Sequence, residues 1–228
     1  MEQLSLEVHL ADHALFETFF EGPNAATAHA FRELMRSADP AVLWVWGAPE
    51  TGKTHLLQAS VNAAGGNGYR SVYLPLDPRF ELSPAVLDGM DDVDVICIDD
   101  VDAVAGDQAW ERALFGLFER LRQHGRLLLA ARQAPLNCRF ELPDLASRFA
   151  SGATFRLRPL ADDDKLKAIQ LRAEWRGFTL PNDTARYLMA RVDRRCGQLF
   201  ALLDALDREA LVAQRKLTVP FVKALLDR

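Results

Sequence analysis

The strongest constraint on the fold is a glycine-bounded loop that follows the apolar run at 43–46. The loop and the start of the next segment consist of Gly47, Ala48, Pro49, Glu50, Thr51, Gly52, Lys53, Thr54 and His55. Their order fits G-x-x-x-x-G-K-[ST], in which backbone amides surround a phosphate, the lysine contacts its oxygens and the threonine coordinates Mg²⁺. We predict a strand, a phosphate loop and a helix that begins at Thr54, with a nucleotide bound by these residues. A chance glycine loop is the alternative.

A second apolar run ends in two adjacent carboxylates. Residues 93–98 are apolar apart from Asp94, and Asp99 and Asp100 follow them. Nucleotide hydrolases place an acid at the end of such a strand to hold a magnesium-bound water. We predict that Asp99 and Thr54 support Mg²⁺ and that Asp100 orients the attacking water. Many active ATPases have the longer glutamate at that position, so we expect slow turnover; two solvated acids capping a strand are the alternative.

Strand and helix patterns alternate up to about residue 160, and only helical patterns follow. The predicted strands cover 43–46, 71–74, 93–98, 126–131 and 153–157. This alternation indicates an α/β fold with a parallel sheet that has helices on both faces. Helical patterns at 162–175, 183–192, 198–213 and 219–226 predict a small all-helical lid. We therefore divide the chain into an extended tail at 1–10, a nucleotide-binding domain at 11–160 and a lid at 161–228.

An aromatic cluster precedes the first predicted helix. Phe16, Phe19 and Phe20 are followed by turn residues at 22–24. The rings could form the wall of an adenine pocket or belong to the core. We expect at least two of the three in the core.

Composition and charge exclude several classes of protein. The formal net charge of −5 gives no basic excess of the kind that a free-standing nucleic-acid-binding protein carries. Cys97, Cys138 and Cys196 lie far apart, so we expect small buried thiols without a disulfide, as in the reducing cytoplasm. No apolar run approaches the roughly 20 residues of a membrane span, and the N-terminus lacks a signal-peptide pattern. The histidines show no metal-ligand grouping.

Several segments together resemble the DnaA-like AAA+ family, and the resemblance extends over nearly the whole chain. The segments that match the family are 16–24, 47–57, 94–106 and 143–148. Within the family, the DnaA-related regulatory inactivators (Hda) are most similar at 73–77, 87–90, 164–178 and 213–223. The resemblance implies an AAA+ P-loop sheet domain with a helical lid, and ADP or ATP with Mg²⁺ as ligands.

The resemblance also assigns roles to two arginines. Arg148 matches the arginine finger, a cation that enters a neighbour's nucleotide site and accelerates phosphoryl transfer by roughly 10³ to 10⁵ where such fingers have been measured. From spacing alone, Arg148 is equally consistent with a surface arginine. Arg194 matches sensor 2, which contacts the phosphates from the lid. The adjacent Arg195 leaves this register open by one residue.

The first residues are similar to the family's clamp-binding tail, which consists here of Gln3, Leu4, Ser5 and Leu6. A glutamine and two apolar side chains on an extended peptide can fill a preformed pocket on a partner. The implied partner is the β-subunit sliding clamp of DNA polymerase III. Glu7 interrupts the usual apolar continuation, and a frayed first strand is the alternative.

Two departures from the family pattern affect the expected activity. Ala130 and Ala131 stand where a polar sensor 1 residue would lie near the γ-phosphate, so we expect weak intrinsic ATPase activity at most. The chain ends at Arg228, where the initiator DnaA continues into a DNA-binding module. We therefore expect contact with DNA only indirectly, through the clamp.

These expectations combine into one hypothesis with alternatives. The resemblance implies a cytoplasmic negative regulator of bacterial replication initiation that binds the DNA-loaded clamp and promotes hydrolysis of DnaA-bound ATP through Arg148. The main alternative is a self-sufficient AAA+ ATPase that acts as a helicase loader or transposition helper. A small-molecule phosphoryl-transfer enzyme is disfavoured because the lid has no obvious acceptor site. The retained nucleotide and a homodimeric state are left open, and no membrane partner is expected.

Overall fold

A computed structural model describes residues 14–213 and 217–226, which form two units. Residues 14–19 and 24–158 form the first unit, which we call the sheet unit. Residues 20–23 and 159–226, apart from 214–216, form the second, which we call the helical unit. The expected tail at 1–10 lies outside the described residues, including its clamp-binding residues Gln3, Leu4, Ser5 and Leu6.

The sheet unit contains a five-stranded parallel sheet, as predicted. Its strands are β1 (Ala41–Trp46), β2 (Ser71–Pro75), β3 (Val95–Asp99), β4 (Arg126–Ala131) and β5 (Ala153–Arg156), in the order β2-β3-β4-β1-β5. The predicted start of β3 at Val93 is wrong by two residues. The Val93 N–H donates to the Met90 carbonyl and closes a short 3-10 helix, Met90–Asp92, before the strand begins.

Helices cover both faces of the sheet and give it two apolar cores. The helices of this unit are α1 (Ala25–Arg36), α2 (Lys53–Gly66), α3 (Gln108–Leu121) and α4 (Pro143–Ala150). Along β1, Leu43 and Val45 pack in the core that contains α1 and α2, whereas Trp44 packs in the core of α3 and α4. Successive side chains of a strand point to opposite faces, so a wholly apolar strand fits between two helical layers. The predicted α/β architecture is confirmed.

Two smaller predictions about the core can be compared with burial. Phe16 and Phe19 are buried with α1 and α2, which confirms the expectation that at least two of the three phenylalanines belong to the core. All three cysteines are free thiols, but only Cys97 is buried. The expectation of burial is wrong for Cys138 and Cys196, which are partly exposed because Cys138 directly follows a short 3-10 helix and Cys196 is the first residue of a helix, whereas Cys97 lies within the sheet.

The helical unit consists of α5 (Asp162–Trp175), α6 (Asn182–Arg191), α7 (Cys196–Ala213) and α8 (Val219–Leu226). Its separate apolar core includes Ile169, Leu188, Leu203 and Val222, one from each helix. Arg172 also joins α5 to α7 through two bonds to Asp204, of 3.2 and 2.9 Å. The predicted all-helical lid is therefore confirmed. Within the described ranges, no helix combines the length and apolar character that crossing a bilayer requires.

Candidate functional site

The loop 47–52 joins β1 to α2 and has the backbone geometry of an anion-binding turn. Glu50 and Gly52 adopt left-handed conformations, with φ of 61° and 97°. Such residues, alternating with ordinary ones, turn successive N–H groups toward one point and so form a cradle for an anion. The Gly47 N–H donates to the Ala131 carbonyl at 3.3 Å, which attaches the loop to the end of β4. The exposed residues of the loop are Ala48, Pro49 and Glu50.

Both glycines of the motif are required by close contacts. A Cβ atom at Gly47 would lie 2.7 Å from the carbonyl oxygen of Leu157. A Cβ atom at Gly52 would lie 2.7 Å from the Phe19 ring, in a backbone conformation that already favours glycine. The loop is therefore packed closely against its own scaffold on one side.

His55 and Thr51 fix the two ends of the turn. His55 Nε2 donates to the Leu15 carbonyl at 2.8 Å, and its ring centroid lies 5.4 Å from that of Phe19. Thr51 Oγ1 donates to the Ala48 carbonyl at 2.9 Å within the loop. His55 thus ties the start of α2 to the segment before α1, and its contact with a nucleotide stays a prediction.

Lys53 places a buried ammonium group at the loop. Its side-chain Nζ donates to the Gly47 and Ala48 carbonyl oxygens, both at 3.0 Å. Burial lowers the pKa of Lys53, and the charges of Asp99 and Asp100 partly oppose this effect. A cation in this position can neutralise phosphate oxygens that the loop amides bind.

Asp99 is the centre of a compact hydrogen-bond network. Thr54 Oγ1 and Tyr73 Oη donate to the same oxygen, Asp99 Oδ2, at 2.6 and 2.9 Å. The Asp100 N–H donates to the other oxygen, Oδ1, at 3.0 Å. The structure therefore brings Thr54 and Asp99 together as the sequence predicts, and it adds Tyr73. Burial and the Asp99 charge raise the pKa of Tyr73, so this hydroxyl remains a donor.

This donor set fits Mg²⁺ only in combination with a phosphate ligand. A hydroxyl and a carboxylate are hard oxygen ligands of the kind that Mg²⁺ prefers, and Mg²⁺ usually completes its shell with phosphate and water. In the part of the chain that the structure describes, no group of three or more His, Cys, Asp or Glu residues could hold a metal by itself. The site therefore fits a magnesium-nucleotide better than a free ion.

Asp100 follows β3 in a strained position beside two other acids. Its φ is 52°, in the left-handed region that asparagine and aspartate tolerate better than most residues. Burial, followed by the charges of Asp99 and Asp102, raises the pKa of its carboxyl group. The role of orienting water stays a prediction for this residue.

The end of β4 provides no side-chain donor for a phosphate. Ala130 and Ala131 are fully buried. The next residue, Arg132, is exposed, and its backbone N–H donates to Asp102 Oδ1 at 3.3 Å. The Arg132 charge lowers the pKa values of both Lys53 and Asp100, which adds this arginine to the electrostatics of the site. No spacing motif includes Arg132, so the only sequence signal for this residue is its position directly after the apolar run 127–131.

Arg148 lies in the last turn of α4, and its contacts are with α3. Its Nε is 3.5 Å from Glu119 Oε1, and its guanidinium carbon is 5.8 Å from the Phe115 ring centroid. The side chain is 40% exposed. Among the described residues, no hydrogen bond or ion pair joins it to the phosphate loop of its own chain.

The two lid arginines have different partners within the helical unit. Arg194 donates to Asp162 Oδ2 at 2.6 Å and to the Met189 carbonyl at 3.2 Å. Arg195 donates to Asp193 Oδ2 at 2.8 Å. Arg194 thus connects the start of α5 with the end of α6, and its contact with phosphates stays a prediction.

Comparison with known proteins gives one family match and a consistent set of folds. Residues 162–226 match the family model described as Hda, lid domain. Domain III of the replication initiation protein DnaA from Thermotoga maritima has a TM-score of 0.79 at 23% identity, over 96% of this chain and 98% of that one. AMPPCP-bound DnaA from Aquifex aeolicus has a TM-score of 0.69 at 23% identity, over 86% of this chain and 66% of that one.

A more distant fold is also similar. The RuvB Holliday junction branch migration motor of Thermotoga maritima has a TM-score of 0.66 at 15% identity, over 91% of this chain and 68% of that one. Identities this low establish the fold alone. The lid match rests on the sequence of residues 162–226 and is therefore independent of the comparison of folds.

The environment of Asp100 predicts a pH-dependent gain in stability for Asp100→Asn. The folded-state pKa lies above the unfolded value, so the ionised carboxylate destabilises the native state at neutral pH, and this penalty disappears as the pH falls toward 3.8. Asparagine tolerates the same left-handed backbone. We expect a higher melting temperature at pH 7 without nucleotide or Mg²⁺, and a gain that shrinks as the pH approaches 4. Asp88→Asn, at an exposed position, should leave the melting temperature unchanged at both pH values. An unchanged melting temperature for Asp100→Asn at pH 7 would contradict the conclusion that the ionised Asp100 carboxylate destabilises the native state.

Proposed function

Because residues 162–226 match the Hda lid-domain model and the fold is similar to that of DnaA domain III, we propose that the chain is a DnaA-like AAA+ protein and a negative regulator of bacterial replication initiation. It binds ADP or ATP with Mg²⁺, docks on ATP-bound DnaA and promotes hydrolysis of the ATP held there. The observation that carries the proposal is the position of Arg148, a partly exposed arginine that makes no hydrogen bond or ion pair with its own phosphate loop among the described residues.

The nucleotide would be held by the loop amides, by Lys53 and by the network around Asp99. Lys53 exchanges its bonds to the Gly47 and Ala48 carbonyls for phosphate oxygens. Thr54 and Asp99 hold Mg²⁺, which supplies charge neutralisation on the phosphates when it is bound. Arg194, the proposed sensor 2 residue of the lid, would contact the phosphates. The AMPPCP-bound DnaA of similar fold supports nucleotide binding by this chain.

Intrinsic hydrolysis should be weak, so the bound nucleotide serves to order the protein. The alanines at the end of β4 offer no polar group to a γ-phosphate. The side chain of Asp100 is shorter by one methylene group than the glutamate that many active ATPases have at this position, which makes it a poor group for orienting water. ADP can therefore remain bound as a conformational latch.

Arg148 is suited to act on another molecule's nucleotide. A guanidinium group brought to the oxygens of a transferring phosphoryl group stabilises the charge that develops there. Its Nε lies 3.5 Å from Glu119 Oε1, and the Arg148 side chain is 40% exposed, so the guanidinium group is accessible to a partner. The likeness to DnaA makes ATP-bound DnaA the proposed partner.

The tail would bring the protein to replicating DNA. Gln3, Leu4, Ser5 and Leu6 are proposed to bind the β-subunit sliding clamp of DNA polymerase III as an extended peptide. DNA is then contacted only through the clamp. This arrangement would restrict DnaA inactivation to times when clamps are loaded.

Replacement of the finger should abolish stimulation alone. The assay measures a single turnover of ATP bound to DnaA in the presence of DNA-loaded clamp. Arg148→Ala should reduce the stimulated rate of ATP hydrolysis by roughly 10³-fold, or to the rate of DnaA without this protein. Arg36→Ala is the matched control, because Arg36 also lies in the last turn of a helix and pairs with a glutamate. It should keep the full rate. Stimulation that survives in Arg148→Ala would show that the finger assignment is wrong.

Replacement of the tail residues should remove clamp binding alone. Gln3→Ala combined with Leu4→Ala deletes the polar and one of the two apolar groups that would enter the clamp pocket. We expect loss of the protein from a clamp pull-down, with unchanged retention of ADP. Glu2→Ala is the neighbouring control and should still be recovered. Equal recovery of the double variant would exclude this tail as the clamp ligand.

A further inference from the structure

Glu111, in the first turn of α3, has a carboxylate that is buried and fully engaged by backbone. The residue is 1% exposed. Its Oε1 accepts from the N–H groups of Gly106 and Glu141 at 2.7 and 2.9 Å, and its Oε2 accepts from the Leu142 N–H at 2.6 Å. Hydrogen bonds from backbone amides to an ionised acceptor are among the stronger ones in proteins.

The three amides come from two segments that are far apart in the sequence. Gly106 ends the stretch that follows Asp100 and the short 3-10 helix Val101–Val104. Glu141 and Leu142 directly precede α4, the helix that carries Arg148. One carboxylate therefore connects the loop after the site acids with the start of the helix of the proposed finger.

The start of α4 depends on this carboxylate. Leu142 is the N-cap residue of α4 and offers no side-chain acceptor, so the cap position lacks the usual polar group. The carboxylate of Glu111 accepts the Leu142 N–H and places a negative charge at the positive end of the helix. Since α4 has only eight residues, a few contacts determine its direction.

The other end of α4 is also held by α3 and by an aromatic cluster. Phe149 is fully buried, and its ring centroid lies 5.5 Å from that of Trp44 and 6.3 Å from that of Phe118. Arg148 precedes Phe149 and pairs with Glu119 on α3. The partly exposed guanidinium therefore projects from a helix that is fixed at its start by Glu111 and at its end by Phe149.

We propose that Glu111 is a positioning residue for Arg148, an inference that rests on the proposed function. Its carboxylate fixes the start of α4, and thereby the direction in which the guanidinium group is presented to ATP-bound DnaA. It also accepts the Gly106 N–H, which connects the start of this helix to the loop that follows the site acids.

Glu111→Gln is the sharpest substitution, because it retains the size of the side chain and removes one acceptor oxygen. A glutamine side chain has one acceptor oxygen and an NH₂ group, which is a donor. Either the Leu142 N–H or the N–H groups of Gly106 and Glu141 would therefore face this NH₂ group instead of an acceptor. Glu33→Gln is the matched control, since Glu33 is exposed and pairs only at the surface with Arg36. Glu111→Asp is the second variant, which retains the charge and is shorter by one methylene group.

The experiment combines a double-mutant cycle with amide exchange. Full-length wild type, Glu111→Gln, Arg148→Ala and the double variant are compared in the single-turnover assay with ATP-bound DnaA and loaded clamp. We expect Glu111→Gln to reduce the stimulated rate at least tenfold, Glu111→Asp to reduce it less, and Glu111→Gln to add nothing once Arg148 is absent. Hydrogen exchange should accelerate at 106 and at 141–150 only, and the Kd for ADP should not change.

The outcomes separate this inference from the proposed function. If Arg148→Ala abolishes stimulation while both Glu111 variants retain the wild-type rate, the positioning role is overturned and the finger remains. If Arg148→Ala retains stimulation, the proposed function itself fails. A Glu111→Gln protein with accelerated exchange throughout the sheet unit and weakened ADP binding would show a general structural role and would also overturn the inference.

Discussion

The hydrogen bond from Thr54 to Asp99 joins the two halves of the candidate site, and the remaining geometry depends on it. Thr54 begins α2 after the phosphate loop, whereas Asp99 ends β3, which is separated from β1 by β4 in the sheet. Parallel strands bring their carboxyl ends to one edge, so residues far apart in the sequence meet there. Burying a carboxylate is unfavourable unless it is hydrogen-bonded, and the donors from Thr54, Tyr73 and Asp100 meet that requirement.

Two parts of the sheet unit then have contrasting properties. The nucleotide side is buried and rigidly bonded, with Lys53 and Asp99 almost inaccessible and no polar side chain at 130–131. The α4 side presents Arg148 partly exposed, with Glu119 of α3 as its ion-pair partner. A protein that binds its own nucleotide firmly, hydrolyses it poorly and offers a cation to a neighbour would have this distribution of burial and charge.

The sequence predicted those features that local patterns encode. The phosphate loop, the parallel strands and the helical lid each follow from spacing or periodicity, and the structure confirms the architecture. Tyr73 was missed because its bond to Asp99 depends on the pairing of β2 with β3, which no local pattern reveals. The start of β3 was misplaced because Val93 is as apolar as the strand residues, whereas its hydrogen bond to the Met90 carbonyl cannot be seen in the sequence. In the sequence, Glu111 cannot be distinguished from an ordinary exposed acid of a helix, because the backbone donors at 141–142 that bind its carboxylate are about 30 residues away.

The central claim is that this chain binds an adenine nucleotide at the loop before α2. The most direct test measures the Kd for ADP by titration calorimetry and then the melting temperature of the purified protein with and without ADP. ADP with Mg²⁺ at about 100 times its Kd should stabilise the native state by about 2.7 kcal/mol and raise the melting temperature by roughly 5–10 °C. The shift should decrease when EDTA removes the metal and should be lost in Lys53→Met. A protein that releases no nucleotide on denaturation, and whose melting is unchanged by ADP or ATP, would contradict the account.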